Sequence, residues 1–121
     1  MVHREHNIIM RMSQLHFDTL LQRRLAAIQS TLGSKAKEYA NDADRMHNFN
    51  RALEVSPQYK TREDAIYGMA LKHWVSILDI FDGIRNGQKY EEAYIIEKFG
   101  DWINYMLLTE ISIIQTSINP T

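Results

Sequence analysis

Cysteine is absent from the 121-residue chain, which removes disulfide frameworks, thiolate zinc sites and cysteine nucleophiles in one step. The absence fits a reducing compartment. Proline occurs only twice, at Pro57 and Pro120, and both sit at expected helix ends. The five glycines never cluster into a phosphate-cradling loop, so P-loop and dinucleotide-fold readings fall away. Neither sign of charge is in excess: 14 Lys and Arg face 15 Asp and Glu, for a net charge of −1. Sequence-independent nucleic-acid binding therefore lacks its usual driving force, and no nucleic-acid partner is expected. The opening stretch holds an apolar run of only three residues, Ile8 to Met10. That is too short for a signal-peptide core or a bilayer span. Residues 1–12 read as a flexible lead-in and 13–119 as one helical domain, with no membrane partner and a cytoplasmic location expected.

What is present is ordinary globular composition, 45% apolar and 24% charged. The first periodic stretch runs from about Ser13 to Ala40, with Leu15, Leu20, Leu21, Leu25, Ile28, Leu32, Ala36 and Tyr39 at three- and four-residue steps. Gly33 interrupts it, which suggests one bent helix or a break with restart at Ser34. Residues 41–50 are rich in turn-forming Asn and Asp. A short helix follows over Met46 to Glu54, stopped by Ser56-Pro57. Thr61 reads as the N-cap of a helix carrying Ile66, Ala70, Trp74, Ile77, Leu78, Phe81 and Ile84 on one face and ending near Gly87. A last helix spans about Glu91 to Ile118. No alternating strand pattern competes. The expected fold is all-α, an antiparallel bundle of three long helices plus a short one. So thin a bundle leaves apolar surface to cover, which points to a homo-oligomer, a dimer or tetramer.

Polar residues interrupt the apolar mass of the last helix. Glu97, Asp101 and Asn104 stand at i, i+4 and i+7 and share one face, surrounded by Ile95, Phe99, Trp102 and Met106. Buried carboxylates need a cation, a metal or several donors. The preceding helix offers Lys72 and His73, which an antiparallel pairing would bring to Glu97 or Asp101. Two readings stay open. One is a site for a hard cation with an anionic ligand, because carboxylates hold Mg²⁺ or Mn²⁺ through oxygen and Lys, Arg and His neutralise phosphate. The other is an internal salt-bridge network that fixes helix register, and periodicity alone favours it. The five histidines form no i, i+4 zinc pair, and no serine sits in a nucleophile elbow. Trp74 and Trp102 read as core.

Two segments carry a resemblance. KEYANDADRMHNF (37–49) is similar to a signature of small, often phage-encoded helical proteins grouped as nucleotide-modification-associated or MazG-like domains. EKFGDWINYMLL (97–108) resembles their last signature, and LKHWVSILDI (71–80) their middle helix with its Lys-His pair. The resemblance spans about residues 14–115. It implies a relation to the all-α nucleoside triphosphate pyrophosphohydrolases, which cleave (d)NTPs to monophosphate and pyrophosphate with Mg²⁺ held by acids of two helices. On that footing Glu38, Glu97 and Asp101 are metal-side candidates. Lys37, Arg45, Lys72 and His73 face phosphate, and Asn48 or Asn104 contacts sugar or base. The partner implied is a nucleotide or small phosphorylated ligand, in the host cytoplasm if the chain is phage-encoded. The chain departs from the enzymes' pattern at Lys98, where their second acid pair needs a carboxylate, and it has no upstream Glu-x-x-Glu. A non-catalytic module that binds or sequesters a nucleotide or partner, and a structural helical oligomer, are therefore the alternatives to hydrolysis.

Overall fold

The structure, a computed structural model, describes residues 10–33 and 44–118. Four α-helices form, α1 (Gln14–Leu32), α2 (His47–Val55), α3 (Arg62–Arg85) and α4 (Glu92–Ile113). A π-helical turn, Ile114–Ile118, follows α4 directly. No strand occurs among the described residues, so the all-α expectation holds. Most of the lead-in expected over 1–12 lies outside the described residues, and residues 10–13 carry no regular structure.

Local chemistry sets the helix ends. The Ser13 hydroxyl accepts the His16 N–H at 3.0 Å and opens α1. Its end differs from the longer helix expected. α1 stops at Leu32, and Gly33, at ψ −128°, leaves the helical region. The stretch from Ser34 to Ala40 lies outside the described residues. α2 starts and stops one residue later than expected, ahead of Pro57. Asp44 organises its entry, accepting the Met46 N–H at 2.9 Å and the Asn50 side-chain amide at 3.0 Å. Those two donors hold the Asp44 carboxyl below its usual value of 3.8, the Asn50 amide contributing most. α3 opens with a reciprocal capping box. Asp64 N–H donates to the Thr61 hydroxyl, and the Asp64 carboxylate accepts the Thr61 N–H, each at 3.0 Å. It closes where Gly87 takes φ +83°, a left-handed position that glycine adopts without penalty.

The helices pack as an open layer. α1 packs on α4, α4 on α3, and α3 on α2, while α1 meets neither α2 nor α3. Along α3 and α4 the partners run in opposite order: Arg62 meets Ser112, and His73 meets Asp101. That pair is antiparallel. Along α1 and α4 the numbers rise together. Arg23 reaches Glu92, Arg24 reaches Ile96, and Thr31 shares a cleft with Asn104. α1 therefore runs alongside α4 in the same direction, while α3 and α4 run in opposite directions.

The core sits where α2 crosses α3 and α4. Met46, Phe49, Ala65 and Ile66 are buried there, with Tyr59, Met69, Tyr105 and Leu108 packed around them. Ala70, Ile77 and Ile80 continue the buried line down α3. α1 contributes no buried residue. The stripe expected to serve as its core leaves Leu15, Leu21 and Leu25 largely exposed. At the start of α3, beside this core, Ser112 is fully buried, accepting Arg62 Nε at 2.7 Å and donating to Glu63. It ties the start of α3 to the end of α4.

Candidate functional site

The polar stripe of α4 opens into a cleft of about 200 Å³ between α1 and α4, lined by Arg24, Ala27, Thr31, Ile96, Glu97, Gly100, Asp101 and Asn104. The i, i+4, i+7 spacing thus brings Glu97, Asp101 and Asn104 into one cavity. Glu97 is exposed at its mouth and Asp101 is half-exposed. Asn104 lies deeper. Its Oδ1 is buried and accepts no hydrogen bond, a condition that costs about 1–3 kcal/mol in a closed interior.

Asp101 is also approached from α3. His73 Nδ1 lies 3.4 Å from Asp101 Oδ2, a distance that makes an ion pair only when the imidazole is protonated. The His73 ring stacks on Tyr105 at 5.2 Å between centroids, and Tyr105 meets Phe49 edge-on at 6.3 Å. Burial pushes the Tyr105 phenol above its usual 10.0, and the Asp101 charge adds to the shift. The polar stripe is therefore coupled through one aromatic stack to the hydrophobic core.

The other described candidates sit elsewhere. Lys37 and Glu38 lie outside the described residues. Arg45 is exposed and donates to the Leu32 carbonyl at 2.9 Å, closing the end of α1. Asn48 on α2 and Lys72 on α3 are exposed and do not line the cleft. Of the Lys-His pair only His73 meets a carboxylate of the stripe, that of Asp101, because consecutive helical residues point about 100° apart. Lys98 turns away from Glu97 in the same manner. Its ammonium lies 5.5 Å from the centroid of the Tyr94 ring, outside the cleft lining.

Arg24 is the cleft residue that periodicity did not single out. Its Nη2 donates to the Ile96 carbonyl at 2.9 Å, so the guanidinium lies along α4. Gly100 makes room for it: a Cβ there would stand 2.7 Å from Arg24 Nη1. The signal was a cation one turn beyond Leu20 and before Ala27 and Thr31 on α1, beside Arg23, which also reaches α4. Reading it required knowing which helix α1 packs on.

The donor chemistry suits a hydrated hard cation in part. Mg²⁺ commonly takes one or two carboxylates and completes its shell with water and phosphate oxygens. Glu97 and Asp101 supply two carboxylates one turn apart, beside the unpartnered Asn104 oxygen. No group of three or more His, Cys, Asp or Glu that could enclose a metal occurs among the described residues. No helix among them is long and apolar enough to cross a membrane. Against known proteins, the chain matches no family model, no curated relative and no solved structure.

Proposed function

We propose that the chain binds a nucleoside triphosphate or a similar small phosphorylated ligand in the α1/α4 cleft. One observation carries this reading. Asn104, whose buried amide oxygen has no donor, lines a cavity that also holds a guanidinium and two carboxylates. A base amino group or a sugar hydroxyl would complete the amide oxygen's hydrogen bonding. Arg24 would meet phosphate, and Glu97 and Asp101 would hold Mg²⁺ or Mn²⁺. The ion, when bound, would neutralise phosphate charge during hydrolysis to monophosphate and pyrophosphate. The MazG-like segments support the same ligand class.

A second reading, binding without turnover, is favoured by the charges around the stripe. Asp101 already faces His73, and the position where the enzymes carry another acid is a lysine set over Tyr94. Weak hydrolysis with nucleotide binding outlasting it fits both observations.

The test is a thermal-shift screen of nucleotides with and without Mg²⁺, paired with pyrophosphate release, for wild type and Asn104→Leu. A ligand that binds only the folded state raises its melting temperature. The wild type should shift, and Asn104→Leu should lose the shift while melting higher without ligand, since an apolar group no longer strands a buried carbonyl. Equal shifts in both proteins, or none in the wild type with any nucleotide, would sink the reading.

A further inference from the structure

The cleft is small for the ligand class proposed for it. Its volume of about 200 Å³ falls below the roughly 300–1,000 Å³ of pockets that enclose most of a drug-sized molecule. A nucleoside triphosphate therefore fits only partly inside, and the lining decides which part. Five of the eight lining residues are polar: Arg24, Thr31, Glu97, Asp101 and Asn104. Single-stranded bases are held largely by stacking on aromatic rings, and among the described residues no ring lines the cleft. Three rings of α4 are already taken up by partners. Tyr94 stacks on Tyr90 at 5.6 Å, Trp102 meets Trp74 at 5.1 Å, and Tyr105 stacks on His73 at 5.2 Å. The charges match the other end of the ligand. Two carboxylates face one guanidinium, so the cleft repels a bare phosphate chain and accepts one whose charge a divalent cation has offset. Mg²⁺ is commonly held in this way, by one or two carboxylates together with substrate phosphates, and a guanidinium pairs with phosphate oxygens.

We infer that the cleft recognises the metal-bound phosphate chain of its ligand and leaves the base outside, so that it does not discriminate between bases. The narrowed ligand class, which rests on the nucleotide reading above, is a short phosphate chain complexed with Mg²⁺ or Mn²⁺, with or without a nucleoside attached. Arg24 takes phosphate oxygens, and Glu97 and Asp101 take the cation. The donor that Asn104 Oδ1 lacks comes from a metal-bound water or a sugar hydroxyl rather than from a base amino group.

Titration calorimetry of inorganic tripolyphosphate, the four dNTPs and thymidine, each in Mg²⁺ and in EDTA, tests this on wild type and Arg24→Gln. In Mg²⁺, tripolyphosphate and the four dNTPs should bind the wild type with dissociation constants within about threefold of one another. Thymidine should not bind, and EDTA should weaken tripolyphosphate by at least about tenfold. Arg24→Gln should weaken all five phosphorylated ligands by one common factor, as the loss of a phosphate contact does. One dNTP binding more than about tenfold tighter than the other three, or than tripolyphosphate, would overturn the inference and leave the nucleotide reading standing. So would binding of thymidine, tripolyphosphate binding that EDTA leaves unchanged, or Arg24→Gln losses that differ from base to base. Failure of all five to bind in Mg²⁺ would remove the nucleotide reading and this inference with it.

Discussion

The Arg24 guanidinium occupies the space that a side chain on Gly100 would fill, with the Cβ position 2.7 Å from its Nη1. Gly100 is buried in the middle of α4, where glycine costs roughly 1 kcal/mol relative to alanine. The penalty is offset by letting Arg24 reach the Ile96 carbonyl, a bond of charge-assisted type worth about 1.5–3 kcal/mol at most and less where it is part-exposed.

Gly100→Ala sets these two effects against each other. Alanine gains helix propensity and displaces the flexible end of Arg24, so stability should change by less than about 1 kcal/mol. Anion binding should suffer far more, because the guanidinium no longer lies in the cleft. Denaturant unfolding and the nucleotide-induced melting shift, measured on the same protein, check the two halves. A loss of several kcal/mol in stability would mean that Arg24 serves packing alone.

Asp101→Asn tests whether the stripe is a register lock. A fully buried pair broken on one side costs about 3–5 kcal/mol. Here the Asp101 side chain is 43% exposed and stands 3.4 Å from His73, so the expected cost is below about 1 kcal/mol. The variant should fold and lose the Mg²⁺-dependent part of the ligand shift. Tyr105 supplies an internal check. Burial is the main cause of its raised pKa and Asp101 the lesser, so an alkaline titration of the variant should move Tyr105 only part of the way back. The stability Tyr105 contributes is complete below its ordinary 10.0 and is lost as pH rises through the higher folded value.

Lys98→Glu should leave both nucleotide binding and any pyrophosphate release unchanged within about twofold. Lys98 sits over Tyr94 rather than in the cleft, so a carboxylate there adds no metal ligand. The stability cost is that of an exposed cation–π contact, about 0.5–1 kcal/mol. A marked rise in turnover would show that position 98 can face the metal side.

The entry to α2 carries a pH signature of opposite sign to that of Tyr105. Asp44 accepts from Asn50 and Met46, which lowers its folded pKa below 3.8. Its contribution is therefore present above the unfolded value near 3.8 and is lost as pH falls through the lower folded value. Asp44→Ala should cost roughly 0.5–1.5 kcal/mol at neutral pH, and the difference from wild type should shrink in acid unfolding curves as pH falls through the lowered folded value.

The parts of this molecule legible in the sequence are those fixed by neighbours in the chain. Thr61 with Asp64, Gly87 and Pro57 mark helix ends through bonds or dihedral angles within a few residues. The common face of Glu97, Asp101 and Asn104 follows from helical pitch alone. What depends on pairing was not legible. α3 and α4 each carry two apolar faces, so periodicity does not say which one meets a neighbour, and it could not show that α4 lies between α1 and α3. For the same reason Arg24 looked like one surface cation among several, and its place against Gly100 emerged only once α1 lay along α4.

Because α1 has no buried residue and packs on α4 alone, one wall of the cleft is the most weakly held long helix of the fold. In an isolated chain the cavity exists only for the fraction of time that α1 is docked, and apparent ligand affinity falls by that fraction.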